Sequence, residues 1–128
     1  MKKLISNNER FFIAGSRGMV GKAVLRSLKK SGYGREENGG VILTPSKKEL
    51  NLLNLYDVEH WFKKNNPTVV ILAAAKVGGI FANNSKPADF ILENLKIQTN
   101  VIETAYKYGV KRFLFLGSSC IYPKNANQ

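Results

Sequence analysis

Arg10-Phe11-Phe12-Ile13-Ala14-Gly15-Ser16-Arg17-Gly18-Met19-Val20-Gly21 is the stretch on which the reading of the whole chain turns. Its apolar start, Arg10 to Ala14, ends at a glycine and reads as a buried strand. A helix follows from Met19 to Lys30, with Val20, Ala23, Val24 and Leu28 on one stripe and Lys and Arg opposite. Between the two, glycines stand at 15, 18 and 21. Gly15 permits a tight turn, Gly18 lets backbone approach a diphosphate at the helix N-terminus, and Gly21 lets helix and sheet pack closely. The spacing alone also occurs in turns that bind nothing. Directly between a strand and a helix, it predicts dinucleotide binding.

Working outward, Tyr33–Gly40 reads as a loop and Val41-Ile42-Leu43 as a second strand closed by Thr44-Pro45. Val58, Trp61 and Phe62 mark a second helix that ends at Asn65-Asn66-Pro67. Residues 68–73 are β-branched and apolar on both faces, as a central parallel strand requires. A loop with Gly78-Gly79 leads to a long helix opened by Pro87 and closed by Gly109, and Phe113–Leu116 forms a fourth strand. The alternation predicts an α/β fold, a doubly wound parallel sheet with right-handed crossovers and helices on both faces.

The 128 residues suit one domain, or half of a larger one, and 44% hydrophobic content supplies a core without disulfides. No apolar run reaches membrane-helix length, and the N-terminus lacks the apolar stretch of a signal peptide. The single cysteine, Cys120, fits a reducing, cytoplasmic setting. The 20 Lys and Arg exceed the 9 Asp and Glu by 11, but they lie in scattered pairs with no run of five. That pattern attracts a polyphosphate ligand without making a nucleic-acid binder. No nucleic-acid, membrane or metal partner is expected.

The second strand bears on which dinucleotide is bound. A site for the unphosphorylated cofactor places Asp or Glu at that strand's end, to accept bonds from the ribose. Here the strand runs into Thr44-Pro45-Ser46-Lys47-Lys48, with no acid at its tip. Arg17 and Lys47 offer a charged grip for a 2′-phosphate, which favours NADP(H), although Lys47 and Lys48 also suit an exposed turn. All four strand ends carry small or polar residues: Gly15, Thr44, Ala73–Lys76 and Gly117–Cys120. That shared carboxyl edge is where open parallel sheets bind ligands.

The glycine turn, the small-residue end of strand three and Ser118-Ser119-Cys120-Ile121-Tyr122-Pro123 resemble the extended short-chain dehydrogenase/reductase superfamily, a Rossmann-type fold. Phe12–Gly21, Glu49–Leu52, Leu72–Ile80, Pro87–Ile91 and Leu116–Lys124 are similar, within it, to the GDP-L-fucose synthase family. The loop from Gly32 to Gly40 is longer than usual for that family. The resemblance implies NADPH-dependent 3,5-epimerisation and 4-keto reduction of a GDP-linked 4-keto-6-deoxy sugar. It implies cofactor contacts at Gly15, Ser16, Arg17, Gly18, Met19, Val20 and Gly21, at Lys47, Lys48, Glu49, Leu50, Asn51 and Leu52, and at Leu116, Gly117, Ser118 and Ser119. It implies that Ser118 binds the reacting oxygen, that Cys120 serves in the acid/base pair, and that Asn94 supports the proton-relay region. Without it, Cys120 reads first as a small buried hydrophobe, the commonest fate of a lone cysteine, and Ser118 as a serine bonding its own backbone.

None of the five tyrosines, at 33, 56, 106, 108 and 122, is followed four residues on by Lys. The Tyr-x-x-x-Lys pair used for reduction in the superfamily is therefore expected outside this chain. His60 lies off the apolar stripe and does not match the family's histidine. Residues 1–128 are expected to be an incomplete NADP-binding domain, inactive alone, with the substrate domain missing. The long helix is apolar on two sides: Phe90, Ile97 and Val101 on one, Leu95, Ile102 and Tyr106 on the other. A homodimer, as in the family, or further chain would cover the second. Rival readings are another nucleotide-sugar epimerase or dehydratase, and a non-catalytic NADP-binding module.

Overall fold

A computed structural model describes residues 4–118, 121–123 and 125. Its elements are β1 (Arg10–Ala14), α1 (Met19–Lys30), β2 (Val41–Leu43), α2 (Leu55–Asn65), β3 (Val69–Leu72), α3 (Ile80–Ser85), α4 (Pro87–Lys107) and β4 (Arg112–Phe115). The four strands form one parallel sheet in the order β2-β1-β3-β4. Chain direction across the sheet reverses after β2, so a right-handed crossover puts α1 on one face and α2 and α4 on the other. The packing follows that rule. Val24, Leu25 and Leu28 of α1 cover Phe11, Ile13, Val69 and Ile71, whereas Val58, Phe62, Val101 and Ala105 cover Phe12, Ala14, Val70 and Leu72.

The reversal leaves a crevice at the carboxyl ends of β1 and β3, the switch point of the sheet. The opposite edge is stitched shut by polar side chains. Arg10 donates its backbone N–H to the Thr68 hydroxyl and its Nε to the Asn65 carbonyl, both at 2.8 Å. Lys111 pairs with Glu9 at 3.1 Å, and Arg112 donates to the Leu4 carbonyl at 3.2 Å. β3 pairs over Val69–Leu72, and Thr68 and Ala73 at its two ends still donate their N–H groups to the Arg10 and Ala14 carbonyls, both at 2.9 Å.

Two stretches read from sequence as loops are partly helical. A single 3-10 turn, Glu36–Asn38, lies within 33–40 and closes through Gly39 in the left-handed region. The residues after Gly78-Gly79 form the short α3, where Asn83 donates to the carbonyls of Gly78 and Gly79 at 2.9 and 3.1 Å. Neither has a clear apolar period: backbone bonds close the 3-10 turn, and the Asn83 side chain holds the start of α3. β4 runs Arg112–Phe115, one residue earlier than its apolar run, and all four residues are exposed.

Two stability predictions follow from buried polar groups. The Thr104 hydroxyl is fully buried and has no hydrogen-bond partner among the described residues. Thr104→Val should therefore raise the urea midpoint, by about 1 kcal/mol in free energy, with the slope unchanged. A lower midpoint would show that the hydroxyl is satisfied after all. Glu9 is held below the ordinary carboxylate range, first by the Thr68 side chain and then by Lys111 and Arg112, against the cost of burial. A carboxyl depressed on folding stabilises above its unfolded pKa and loses that contribution as pH falls through the folded value. The gap in urea stability between wild type and Glu9→Gln should accordingly be open at pH 7 and close on acidification below the unfolded pKa.

Candidate functional site

The turn after β1 is shaped by two close approaches. Gly15 has φ +85°, and a Cβ there would lie 2.7 Å from the backbone of Ala73 and Ala74 at the exit of β3. A Cβ on Gly21 would fall inside the Gly15 carbonyl group and 2.8 Å from the Ser16 Cα. Gly21 is thus the point at which α1 closes on the turn that leaves β1. Gly18 differs from both. It caps α1 in extended conformation (φ −72°, ψ 170°), and its Cβ would meet nothing closer than the Gly15 carbonyl oxygen at 3.4 Å. The fold does not demand glycine at 18, so its bare Cα is open to a ligand.

The electrostatics around it suit an anion. The first turn of α1 has no acidic residue, and its first N–H groups lack intrahelical acceptors. Arg17, Gly18, Met19 and Val20 are exposed, whereas Ser16 is buried. On the side of β1 away from β3, the turn after β2 is built around Ser46 and Glu49. Ser46 donates its N–H to Glu49 Oε2 at 2.7 Å, and the Glu49 N–H reaches the Ser46 hydroxyl at 3.4 Å. The Ser46 backbone N–H, then its hydroxyl and then the charge of Arg17 hold the Glu49 carboxyl below its usual range. Arg17 is therefore brought electrostatically to the turn that carries Lys47 and Lys48, both exposed. Leu50 is 4% exposed and lies in the core, so only its backbone is left for a ligand; Asn51 is exposed and Leu52 half-buried.

The exit of β3 is clipped to α4. Asn94 accepts the Lys76 N–H at 2.7 Å and donates to the Lys76 carbonyl at 2.9 Å. The Lys76 ammonium pairs with Glu93 at 2.5 Å and sits 5.3 Å from the centre of the Phe90 ring. Ala73 to Lys76 is thereby pinned at both ends, by Gly15 and by α4. Beyond β4, Leu116, Gly117 and Ser118 are exposed at the same edge, and Leu116 donates to the Leu72 carbonyl at 3.3 Å. Ser119 and Cys120 lie outside the described residues.

Sequence reasoning missed Glu93 and Asn100, which donates to the Leu52 carbonyl at 2.9 Å. A signal existed for the latter: asparagine is a poor helix former, and α4 carries it at 94 and 100. An open cavity of about 290 Å³ lies at the outer edge of β2, lined by Thr44, Pro45, Glu49, Trp61 and Asn65 among others, and it includes no residue of the glycine turn. Among the described residues no cluster of His, Cys, Asp and Glu could hold a metal, and no helix is long and apolar enough to cross a membrane.

A parallel sheet with a glycine turn at its switch point defines a Rossmann-type α/β unit. The chain belongs to the NAD dependent epimerase/dehydratase family, whose model matches residues 11–128. It is similar to GDP-L-fucose synthase 1 of Arabidopsis thaliana, 50% identical over 128 residues, which are all of this chain and 38% of that relative. It is 49% identical to GDP-L-fucose synthase of Escherichia coli over 123 residues, 95% of this chain and 36% of that one. Among solved structures, GDP-mannoheptose C4 reductase from Campylobacter jejuni with NADP bound superposes with a TM-score of 0.85 at 37% identity, over 96% of this chain and 37% of that one. The chain thus spans little more than a third of the length of these relatives.

The two helix-side glycines should separate on substitution. Gly21→Ala forces the Gly15 carbonyl to move and should cost about 2 kcal/mol or more in urea unfolding. Gly18→Ala should cost less than about 1 kcal/mol, the difference between glycine and alanine at an N-cap. Equal losses would mean that the close approach at Gly21 is relieved at no cost.

Proposed function

We propose that residues 1–128 are the NADP(H)-binding domain of an enzyme that converts GDP-4-keto-6-deoxy-D-mannose to GDP-L-fucose, the substrate domain lying outside them. The observation that carries the cofactor assignment is Gly18: a glycine the fold does not need, at a helix N-terminus free of acid. Gly15–Gly21 would hold the diphosphate, and Arg17 with Lys47 and Lys48 the 2′-phosphate. Glu49–Leu52 and Leu116–Ser119 would line the adenosine and nicotinamide ends. The absence of an acid at the tip of β2 removes the group that would repel a 2′-phosphate. The 47–54% identity to synthases from plants and bacteria supports the substrate assignment.

When bound, the cofactor supplies the hydride that reduces the C4 ketone. The chain's own residues prepare that ketone. Ser118, at the end of β4, donates a hydrogen bond to the carbonyl oxygen. The ketone acidifies the C–H bonds at C3 and C5, and a base that removes each proton leaves an enolate whose charge Ser118 stabilises. Cys120 is a member of the pair that moves these protons, a role its thiol fills when its surroundings lower its pKa. Reprotonation on the opposite face inverts each centre.

The exposed apolar side of α4 supports a homodimer in the whole enzyme, with Ile91 62%, Leu95 48% and Tyr106 90% exposed. A cytoplasmic, GDP-sugar-processing protein with no nucleic-acid partner is the setting this reading implies.

Titration calorimetry of the 128-residue chain should give tighter binding of NADPH than of NADH by about tenfold or more, and Arg17→Glu should abolish that preference. Fusing residues 1–128 to the remaining two-thirds of the Escherichia coli relative should give a chimera that epimerises and reduces the 4-keto sugar. Folded chimera that binds NADPH and produces no GDP-L-fucose would overturn the substrate assignment.

A further inference from the structure

We propose that Asn100, in the middle of α4, is a positioning residue for the 2′-phosphate end of the cofactor site. The proposal rests on the NADP(H) reading above and assigns to α4 the control of its selectivity. The stretch between β2 and α2 has no strand or helix of its own. It is held in shape by short-range bonds: Ser46 with Glu49, Asn51 Oδ1 accepting from the Leu53 N–H at 3.1 Å, and Asn54 Oδ1 accepting from the Tyr56 N–H at 2.9 Å. None of these reaches more than three residues, so none fixes the stretch relative to the sheet.

Three contacts do. Leu50 is buried in the core, Leu52 packs half-buried against it, and Asn100 Nδ2 donates to the Leu52 carbonyl at 2.9 Å across 48 residues of sequence. This is the one long-range hydrogen bond to residues 44–54 among the described residues. A buried leucine sets depth but tolerates sliding and rotation, whereas a hydrogen bond has direction. The Asn100 bond therefore sets where the turn stands, and with it Lys47 and the Glu49 carboxylate that senses Arg17. Asparagine in a helix interior costs stability relative to alanine, and its amide is used here outside the helix. The residue serves the turn rather than the helix.

The test reads selectivity, which a purely structural role would leave alone. Asn100→Asp keeps the shape and removes the donor, and Asn100→Leu removes all polarity. Asn100→Gln keeps the donor on a longer arm. Each 128-residue chain is titrated with NADPH and with NADH, and its folding is followed by urea denaturation. The expected result is an NADPH-to-NADH affinity ratio lowered by about tenfold in the Asp and Leu variants, with NADH affinity held within about threefold and partial rescue in the Gln variant. Equal weakening of both nucleotides, or an unchanged ratio in folded variants, would overturn the proposal and leave the NADP(H) reading standing. Should the Asp and Leu variants not fold, Asn100→Ala, which removes the donor and favours the helix, takes their place, and an unchanged ratio in it would overturn the proposal as well. A wild-type chain that is folded and binds neither nucleotide would overturn the reading itself.

Discussion

The structure depends on how closely the turn after β1 approaches the exit of β3. Gly15 touches the backbone of Ala73 and Ala74 on one side and is touched by Gly21 on the other, with no room for a Cβ in either contact. The end of β1, the start of α1 and the distant exit of β3 thereby meet around one residue. Removing the side chains from that meeting brings main-chain groups to the switch point of the sheet, where side chains would otherwise crowd a ligand out. The adjacent Gly18 is left uncovered because its neighbours are already engaged with each other.

Most of the architecture was legible in the residues. The apolar runs at 11–14 and 69–72 marked strands buried on both faces, and the glycine turn fixed where β1 ended and α1 began. Capping chemistry was equally readable: Pro87 opens α4, and Asn66, in the left-handed region, closes α2 ahead of Pro67. What escaped was structure without a hydrophobic period, such as α3 and the turn Glu36–Asn38. In the site, residues identified by local spacing could be named, whereas Glu93 could not, and Asn100 showed only as an asparagine out of place in a helix. Their meaning lies in a bond to a segment 48 or 17 residues away, and a single sequence carries no record of that distance.

The two edges of the sheet divide the polar work. At the amino edge, Glu9, Arg10, Thr68, Lys111 and Arg112 are engaged with one another or with the carbonyls of Leu4 and Asn65. At the carboxyl edge, Arg17, Lys47 and Lys48 stand exposed, and the nearest carboxylate, Glu49, is already bound to Ser46. The surplus of cations over acids is thus spatially useful even though it is scattered along the chain. Charge that closes the structure sits at one end, and charge available to an anion sits at the other.

The central position of β1 also bears on how quickly the chain finds its fold. The first strand made has no neighbour until residues 41–43 and 69–72 are present, and the tie from Glu9 to Lys111 spans 102 residues. Each pairing must close a long loop before any strand contact rewards it, which places this topology among slowly nucleating ones. Phe11, Phe12 and Ile13, completely covered at the end, take part of that cover from residues more than 40 positions along the chain. The same arrangement that puts a glycine turn in the middle of the sheet therefore makes the assembly of that sheet a late, collective event.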